Sequence, residues 1–248
     1  MQTREFEELY ELEETYWWFV GRRWLVRELL EEYAPEPRQR PRRIVDIGCG
    51  TGGTMKALEG TGEIFGCDVS RTALTFCRRR GFQRLVCSYG EALGLADEAF
   101  DVVVNCDVLE HIEGDVEALA EMFRVLRPGG IVILTVPAHP YLWSEHDEAL
   151  AHLRRYRRSE FESKLQEAGY SVEKLSAAVF FVFPVILTFR LLQRLLPKKP
   201  GEPKTDLRIL PTWLNNTLIS LLHLETWLTR RINLPIGTSF VAVARKPE

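Results

Sequence analysis

The chain has 248 residues, of which 46% are hydrophobic and 27% are charged, and its formal net charge is -3. This composition is typical of a folded domain, is too apolar for a disordered chain, and provides no overall positive charge for nucleic acid. Five cysteines without a loop-rich framework predict free thiols in a reducing compartment, and the acidic N-terminus shows no apolar leader segment. We therefore expect a cytoplasmic protein that does not bind nucleic acid.

The order of elements predicts an α/β fold. Residues 5–33 have the pattern of helices, and a linker rich in proline and arginine follows at 35–43. Short apolar strands then alternate with segments of helical length; these strands lie at 43–48, 63–69, 84–88, 100–106 and 130–136. A helix at about 159–168, a strand near 170–176 and a last strand at 237–246 are expected next. Continuous apolar strands between helices indicate a doubly wound, mostly parallel sheet.

A glycine-rich turn, VDIGCGTGG at 45–53, follows the first strand and opens a helix. Glycines let a ligand approach the backbone, and a helix N-terminus offers free N–H groups. The spacing that ends at Gly53 fits a dinucleotide fingerprint, whereas the spacing that begins at Asp46 and ends at Gly52 fits a different acidic loop. Asp68, at the end of the second strand, would hold ribose hydroxyls in either case. The turn alone leaves both cofactors open.

Three further features distinguish these interpretations. An ionised Asp46 inside an apolar strand would repel a pyrophosphate but would attract an ammonium group. The segment AFDVVVNCDVLEHI (99–112) contains the fourth strand, and VLRPGGIVILTVP (125–137) has a Pro-Gly-Gly turn before the fifth. In this order, the segments resemble class I S-adenosylmethionine-dependent methyltransferases, especially the small-molecule branch that includes ubiquinone-pathway enzymes.

The resemblance implies a Rossmann-like, seven-stranded sheet whose last strand is antiparallel. It also implies S-adenosyl-L-methionine as the cofactor and S-adenosyl-L-homocysteine as the product. Residues 1–36 would form lid helices, and residues 43–178 with 236–248 would form the methyltransferase domain. Residues 179–235 would be a helical insertion before the last strand.

The resemblance also assigns cofactor contacts. Asp46 and the glycines would border the methionine part, Asp68 the ribose, and Val69 the adenine. This sequence has Tyr89 in SYGEAL (88–93) where the family has an acid for the adenine amino group. The implied cofactor-binding residues are Asp46, Gly48, Gly50, Gly52, Asp68, Val69, Tyr89, Gly90, Asn105, Asp107, Trp18 and Arg22.

Methyl transfer depends mainly on positioning the acceptor and excluding water, and it needs a base only for a poor nucleophile such as a hydroxyl. DVLEH (107–111) resembles an acid-x-x-Glu-His set that some ubiquinone-pathway O-methyltransferases use around a divalent metal. In other relatives with the same letters, the histidine only lines the pocket. We expect no metal here, and His111 is a candidate catalytic residue.

The segment after the fifth strand, PAHPYLWSEHDEALAHLRRYRR (137–158), is rich in histidine, arginine and aromatic residues. Loops in this position commonly form the acceptor side of the cleft in the resembled family. His139 and His146 are candidate bases for a hydroxyl acceptor. The candidate substrate contacts are Trp143, His146, Arg155 and Tyr156, with the arginine suited to an anionic group. A solvated surface loop is the alternative.

The N-terminal segment ETYWWFVGRRW resembles the lid helix of the same enzymes. The resemblance implies that Trp17, Trp18 and Phe19 close over the cofactor while Arg22 or Arg23 approaches its carboxylate. The alternative is a hydrophobic seam against the sheet, because aromatic side chains at this density are usually buried.

The insertion contains the uncharged stretch LSAAVFFVFPVILTF (175–189). As a helix it would span only about 22 Å, which is shorter than the roughly 30 Å of a bilayer core. Amphipathic helices are predicted at 185–196 and 212–231. They could contact a membrane surface, cover a lipid-like acceptor, pack on the core as a hairpin, or form a homodimer interface.

The sequence as a whole predicts an S-adenosylmethionine-dependent methyltransferase that acts on a small or lipid-like acceptor at oxygen. The alternative is a cofactor-binding protein without catalysis that acts through its helical insertion as a membrane-binding or partner-binding module.

Overall fold

The structure is a computed structural model that describes residues 3–35, 40–195 and 210–248. Its strands are β1 Arg43–Ile47, β2 Glu63–Asp68, β3 Leu85–Cys87, β4 Phe100–Cys106, β5 Leu126–Pro137, β6 Ser171–Ala178 and β7 Ser239–Arg245. Its α-helices are α1 Thr3–Thr15, α2 Trp17–Tyr33, α3 Gly53–Ala57, α4 Arg71–Arg79, α5 Asp115–Val125, α6 Glu145–Ala149, α7 Arg158–Glu167, α8 Phe183–Leu195 and α9 Thr212–Arg231.

The seven strands form one sheet in the order β3-β2-β1-β4-β5-β7-β6. β7 runs antiparallel to β5 and β6, and the other neighbouring strands are parallel. The predicted Rossmann-like sheet with an antiparallel last strand is therefore confirmed. The chain extends from β1 outward to β3 and returns as β4 on the other side of β1. The topological switch point, where open α/β sheets bind ligands, thus lies between β1 and β4.

Two hydrophobic cores cover the two faces of the sheet. All seven residues of β4 are buried, as expected for a central strand with helices on both faces. Val103 belongs to a core that includes residues of α5 and α7. Val102 and Val104 belong to the opposite core, which includes residues of α2, α4 and α9. The alternation of side chains along one apolar strand therefore joins both layers.

The N-terminal segment forms two helices rather than one. α1 ends at Thr15 and α2 begins at Trp17, because Tyr16 has an extended backbone (φ -73°, ψ 130°) and no side-chain cap. α2 packs in the second core, so Val26 and Leu29 are fully buried. Trp17 and Phe19 are buried there too. The hydrophobic-seam alternative thus holds for these two aromatic residues.

The insertion forms two helices close to the predicted bounds, and α9 has the bounds predicted for it. Part of the basic cluster at 38–43 and the whole basic segment PKKPGEPK lie outside the described residues. Within the part of the chain that is described, every helix is too short or too polar to cross a membrane.

Helix α8 exposes part of its apolar face and buries one residue of its polar face. Its sequence pattern predicts an apolar face that contains Leu191 and Leu192, with Arg190 on the opposite, polar face. In the structure Arg190 is buried, whereas Leu191 and Leu192 are exposed. Val185, Phe189 and Leu192 follow helical spacing on the exposed side, with 68%, 45% and 55% of their surfaces accessible. α8 therefore presents a strip of apolar side chains outward.

Candidate active site

The glycine turn lies at the switch point and is fixed by backbone geometry. Gly48 has a φ of +75°, and a Cβ on it would lie 2.3 Å from Cγ2 of Val108. A side chain at this position would therefore clash with the segment that follows β4. The Gly50 N–H donates a hydrogen bond of 2.9 Å to Oδ2 of Asp68. The turn is thus attached to the carboxyl end of β2.

Asp46 and Asp68 differ in how their charges are compensated. Burial raises the pKa of Asp46 to about 8, although the charge of Arg22 opposes this shift. Oδ2 of Asp46 is buried and has no hydrogen-bond partner among the described residues. Asp68 accepts hydrogen bonds from the N–H groups of Gly50 and Ser70 (2.8 Å for Ser70), which counteract the burial that raises its pKa. A ligand that carries a positive charge or a hydrogen-bond donor would therefore compensate Asp46.

The predicted adenine side lies open beside Asp68. Val69 has 54% of its surface exposed, and Tyr89 has 69% exposed. Gly90 packs closely against Ile112, since a Cβ on it would be 2.6 Å from Cδ1 of Ile112. An exposed apolar side chain next to a ribose-type acid can pack against a nucleobase. The structure thus brings Val69, Tyr89 and Gly90 to one edge of the cleft.

At the end of β4, Asn105 and Asp107 have different environments. Asn105 is fully buried, and its Nδ2 donates a 3.0 Å bond to the Ile47 carbonyl, so it joins β4 to the end of β1. Asn105 therefore anchors the residue that directly precedes the glycine turn. Asp107 accepts hydrogen bonds from Arg22 and from Oγ1 of Thr135, the latter at 2.9 Å. Burial opposes the charge of Arg22, but the Asp107 carboxylate outweighs this effect and raises the pKa of the arginine.

Helix α1 contacts the glycine turn through Glu13, which the sequence did not identify. The Glu13 carboxylate accepts a hydrogen bond from Oγ1 of Thr51 and pairs with Arg80 at 3.3 Å. A Cβ on Gly53 would lie 2.6 Å from this carboxylate. Burial raises the pKa of Glu13, while Thr51 and Arg80 favour its ionised form. The two N-terminal helices thus contact the turn through Glu13 and the end of β4 through Arg22.

A small cavity of about 30 Å³ lies between the lid and the insertion, above the carboxyl ends of β4, β5 and β6 and the start of β7. Its apolar wall includes Trp18 and Leu25 of α2 and Leu222 of α9. Its polar lining includes Arg22, Asp107, Thr135, Glu225 and Ser239. Trp18 and Arg22 therefore both line this cavity. α9 supplies a further wall through Leu222 and Glu225.

Beyond β4, Glu110, His111 and His152 form the group that could hold a cation within the described chain. One ligand atom from each lies within 4.8 Å of the others. Glu110 is fully buried, its two oxygens have no hydrogen-bond partner in the described residues, and burial and Asp107 raise its pKa well above its usual range. Burial and His152 lower the pKa of His111. Asp107 instead pairs with Arg22.

Arg155 is a structural side chain of the loop after β5, contrary to the predicted contact with substrate. Its Nε donates to Oδ1 of the fully buried Asp147 at 2.7 Å, and its Nη1 donates to the Ala138 carbonyl. Asp147 also contacts Nδ1 of His152 at 2.9 Å. Burial opposes its ionisation, but His152 and Arg155 lower the pKa of Asp147 to about 2. The guanidinium is therefore already neutralised within the protein.

Tyr156 is a core residue, so its predicted contact with substrate is wrong. Its side chain is fully buried and packs against Phe161 of α7, with ring centroids 5.5 Å apart. Its hydroxyl donates a 2.9 Å hydrogen bond to Oδ2 of Asp115, the first residue of α5. The tyrosine thus joins α5 and α7 beneath the sheet. An aromatic residue among arginines suggested a binding loop, but tertiary packing determines its position.

The remaining loop candidates lie just past β5. His139 has a φ of +59°, which is unusual for a residue with a side chain, and it packs between Tyr141 and Phe240. Its buried Nε2 lacks a hydrogen-bond partner in the described chain, and burial and the charge of Arg155 lower its pKa. His146 is half-buried in α6, and Trp143 is half-buried just before it. The roles of His146 as a base and of Trp143 as a substrate contact remain predictions.

The residues at the switch point fit the predicted cofactor. S-adenosylmethionine carries an ammonium group, which would favour the ionised form of the buried Asp46 and give its unpartnered Oδ2 a donor. Its ribose hydroxyls suit Asp68, whose two oxygens retain accepting capacity after one N–H bond each. Its adenine suits the exposed Val69. A dinucleotide would instead place its negatively charged pyrophosphate close to Asp46, and an ionised Asp46 would repel it. The site therefore favours S-adenosylmethionine over a dinucleotide.

The fold and this site together define a Rossmann-like protein with a nucleoside-type cofactor site under a helical lid. The family profile described as "Methyltransferase domain" matches residues 45–134. A "Probable S-adenosylmethionine-dependent methyltransferase" of Mycolicibacterium smegmatis is 31% identical over 137 residues, which are 53% of this chain and 53% of that protein. A mouse tRNA (carboxymethyluridine(34)-5-O)-methyltransferase is 35% identical over 121 residues, 46% of this chain and 17% of that protein.

Among solved structures, an S-adenosylmethionine-dependent methyltransferase from Archaeoglobus fulgidus has the same fold with a TM-score of 0.55. It is 19% identical, and the alignment covers 90% of this chain and 94% of that one. Residues 45–134 thus carry a methyltransferase domain, which supports the resemblance to class I S-adenosylmethionine-dependent methyltransferases and the predicted cofactor. The chain spans about half the length of the Mycolicibacterium relative and less than a fifth of the mouse relative.

Several site residues were not found from the sequence because they are far from the motifs. Glu13 lies in an acidic helix whose other glutamates look equivalent. His152 lies in the same loop as His139 and His146, and its place in the site is visible only from its contacts with Glu110 and Asp147. The one available signal was Glu225, a charge on the apolar side of a helix. It accepts hydrogen bonds from the N–H groups of Val179, Phe180 and Phe181.

Proposed function

We propose that the chain transfers the methyl group of S-adenosylmethionine to an oxygen atom of a small, largely apolar acceptor. The observation that carries this proposal is the closed arrangement at the switch point. Asp46 lies buried under the glycine turn, Asp68 accepts the Gly50 N–H, and Arg22 of the lid pairs with Asp107. The same contacts form a cofactor site and cover it. This arrangement suits methyl transfer, which depends on positioning the two reactants and on excluding water.

Each cofactor-side residue has a defined task in this proposal. S-adenosylmethionine, when bound, supplies a methyl group on a positively charged sulfur. Asp46 attracts the ammonium group, Asp68 accepts hydrogen bonds from the ribose, and Val69 packs against the adenine. Glu13 holds the turn in place through Thr51. The lid then excludes bulk water from the reacting atoms.

The cavity under the lid supports a small and mainly apolar acceptor. Trp18, Leu25 and Leu222 provide an apolar wall, and Asp107 with Thr135 provides polar groups at the sheet edge. Such a mixture suits a compact apolar body with one polar group to orient. Because the cavity of about 30 Å³ has room for only about one or two water molecules, any acceptor requires α1 and α2 to move before it can bind there.

A neutral histidine next to β5 supports transfer to oxygen. A hydroxyl acceptor is a poor nucleophile and benefits from a base. The lowered pKa of His139 keeps its imidazole neutral at pH 7, and its unpartnered Nε2 is able to accept a proton. His139 is therefore the proposed base. His146 and His111 are the alternatives retained from the sequence.

A labelled-methyl assay tests the acceptor class. Binding of S-adenosylhomocysteine is measured by calorimetry, and then methyl-labelled cofactor is incubated with a lipid extract or with total tRNA. We expect label in the organic phase and none in tRNA, since the chain has a net charge of -3. Label in tRNA would contradict the small-molecule proposal. Binding without any product would favour the non-catalytic alternative, and failure to bind would refute both.

We also propose that the outward apolar strip of α8 contacts a lipid surface. Support comes from Val185, Phe189 and Leu192, and from the basic sequence PKKPGEPK that follows the helix. Flotation with vesicles that contain phosphatidylglycerol should carry the protein upward, and a Val185→Ser, Phe189→Ser, Leu192→Ser variant should stay below. A wild-type protein that stays below would contradict this proposal. If the strip is instead a homodimer interface, the variant will change the oligomeric mass in light scattering.

A further inference from the structure

Asn215 of α9 bridges the break between the two lid helices. Its Oδ1 accepts a 2.9 Å hydrogen bond from the Trp17 N–H, and its Nδ2 donates a 2.9 Å hydrogen bond to the Thr15 carbonyl. The first N–H groups of a helix lack partners within it, and so do the last carbonyls. Tyr16 has no side chain that could cap α2. One asparagine, about 200 positions away in sequence, therefore supplies both the cap of α2 and a partner for the end of α1.

Further contacts hold α9 against α2 beyond this bridge. A Cβ on Gly21 would lie 2.2 Å from Cδ1 of Leu222, so the two helices are in direct contact there. The rings of Trp24 and His223 are 4.6 Å apart. Near the other end, Arg230 pairs with Glu28 and Glu32. Asn215 is thus the first of a series of contacts that fix α2 on α9.

Helix α9 is itself attached to the sheet. Glu225 is buried and accepts three backbone N–H bonds from the segment that follows β6, including 2.7 Å from Phe180. These bonds compensate for the burial that raises the pKa of Glu225. Because α9 is held on the sheet in this way, it provides a fixed surface against which α2 packs.

The bridged break lies between the two points at which the lid contacts the cofactor site. Glu13, two residues before Thr15, binds Thr51 of the glycine turn. Arg22, on the second turn of α2, binds Asp107 at the end of β4. The angle between α1 and α2 decides whether both contacts form together. Asn215 fixes that angle through one bond to each helix.

We infer that Asn215 is a positioning residue for cofactor binding, which sets the bend of the lid so that Glu13 and Arg22 contact the site together. This inference rests on the proposed function, because it concerns the same cofactor site. It gives α9 of the insertion a task in the enzyme separate from any contact of α8 with lipid.

The test compares Asn215→Ala with Asn216→Ala, the same change at the neighbouring, exposed position. We expect Asn215→Ala to weaken binding of S-adenosylhomocysteine roughly tenfold, as two lost hydrogen bonds of modest net strength would. The KM for S-adenosylmethionine should rise similarly, with kcat little changed at saturation. Asn216→Ala should behave like the wild type. Equal affinity for Asn215→Ala and the wild type, or an equal loss in Asn216→Ala, would overturn the inference.

Two further measurements keep the inference separate from folding and from the proposed function. Asn215→Asp retains the acceptor for Trp17 but loses the donor to Thr15, so its affinity should fall between those of the wild type and Asn215→Ala. Amide exchange in the cofactor-free protein should accelerate at Trp17 in Asn215→Ala and stay unchanged in α9. If the wild type fails to bind S-adenosylhomocysteine, the proposed function fails. Unchanged exchange at Trp17 would overturn the role of Asn215 by itself.

Discussion

Arg22 of α2 and Asp107 at the end of β4 form an ion pair whose side chains are only 16% and 20% exposed. The pair joins the lid to the sheet beside the switch point. The Nε of Arg22 is buried and finds no hydrogen-bond partner in the described chain, so the ion pair is its main compensation. Removing either partner would leave a charge with little access to water.

A double-mutant cycle on Arg22→Ala and Asp107→Ala should therefore give a coupling free energy of about 1–3 kcal/mol in urea unfolding. Each single change is expected to destabilise the protein by about 2 kcal/mol or more, because it isolates the other charge. The exposed pair Arg27–Glu31 is the matched control, with expected coupling of about 0.3–0.5 kcal/mol. Equal coupling in both cycles would show that solvent screens the Arg22–Asp107 pair fully.

The sheet and the cofactor turn could be predicted from sequence because their signals are local. Apolar strands such as 100–106 and the glycine spacing from Gly48 to Gly52 depend only on neighbouring residues. The lid's contacts could not be predicted, because Glu13 meets Thr51 and Asn215 meets Trp17 only after the chain has folded. Local patterns specify elements, while the partners of a polar side chain depend on topology.

The predicted substrate contacts of Arg155 and Tyr156 were wrong because they rested on residue type alone. Tyr156 and Arg155 are residue types common in binding sites, but one fills the core and the other pairs with Asp147. Helix α8 shows the same limit. Its periodicity correctly predicts a helix with two faces, yet it cannot specify which face the rest of the protein covers.

Asp68→Ala should abolish measurable binding of S-adenosylmethionine, with an expected loss of about 100-fold or more. The carboxylate would otherwise accept ribose hydroxyls, and hydrogen bonds to a charged group are worth about 1.5–3 kcal/mol each. Calorimetry with S-adenosylhomocysteine gives the affinity, and Glu91→Ala, an exposed acid nearby, is the control. Retained affinity in Asp68→Ala would show that the ribose assignment is incorrect.

Asp46 should make the cofactor-free protein less stable as the pH rises. Burial raises its pKa from the usual 3.8 to about 8, so between these values the folded chain holds a proton that the unfolded chain has released. Stability from this group is then lost as the pH rises, by up to about 1.4 kcal/mol per pH unit. Asp46→Asn should therefore gain stability over the wild type from pH 5 to pH 8 in urea unfolding. A constant difference across that range would contradict the shift, and the exposed Asp97→Asn serves as the control.

Removing metals should leave activity unchanged. The sequence predicts no metal, and in the structure Asp107 is engaged by Arg22 and Thr135 rather than by Glu110 and His111. Dialysis against a chelator should therefore preserve both turnover and the melting temperature. Activity that disappears on chelation and returns with an added divalent cation would instead assign a cation to Glu110, His111 and His152.

His139→Gln should lower kcat by about 10²- to 10⁴-fold on a hydroxyl acceptor, the usual contribution of a general base. The pKa of His139 lies below 6.5, so wild-type kcat should be constant near pH 7 and fall only at acidic pH, as the imidazole gains a proton. This acidic limb should vanish in His139→Gln, while the affinity for S-adenosylhomocysteine stays unchanged. His223→Gln is the control, since that histidine stacks on Trp24 away from β5. If His139→Gln keeps the acidic limb of the pH profile and His146→Gln loses it, the base is His146.

If both variants retain full kcat, the acceptor needs no histidine base. That result would argue for an acceptor atom more nucleophilic than a hydroxyl oxygen.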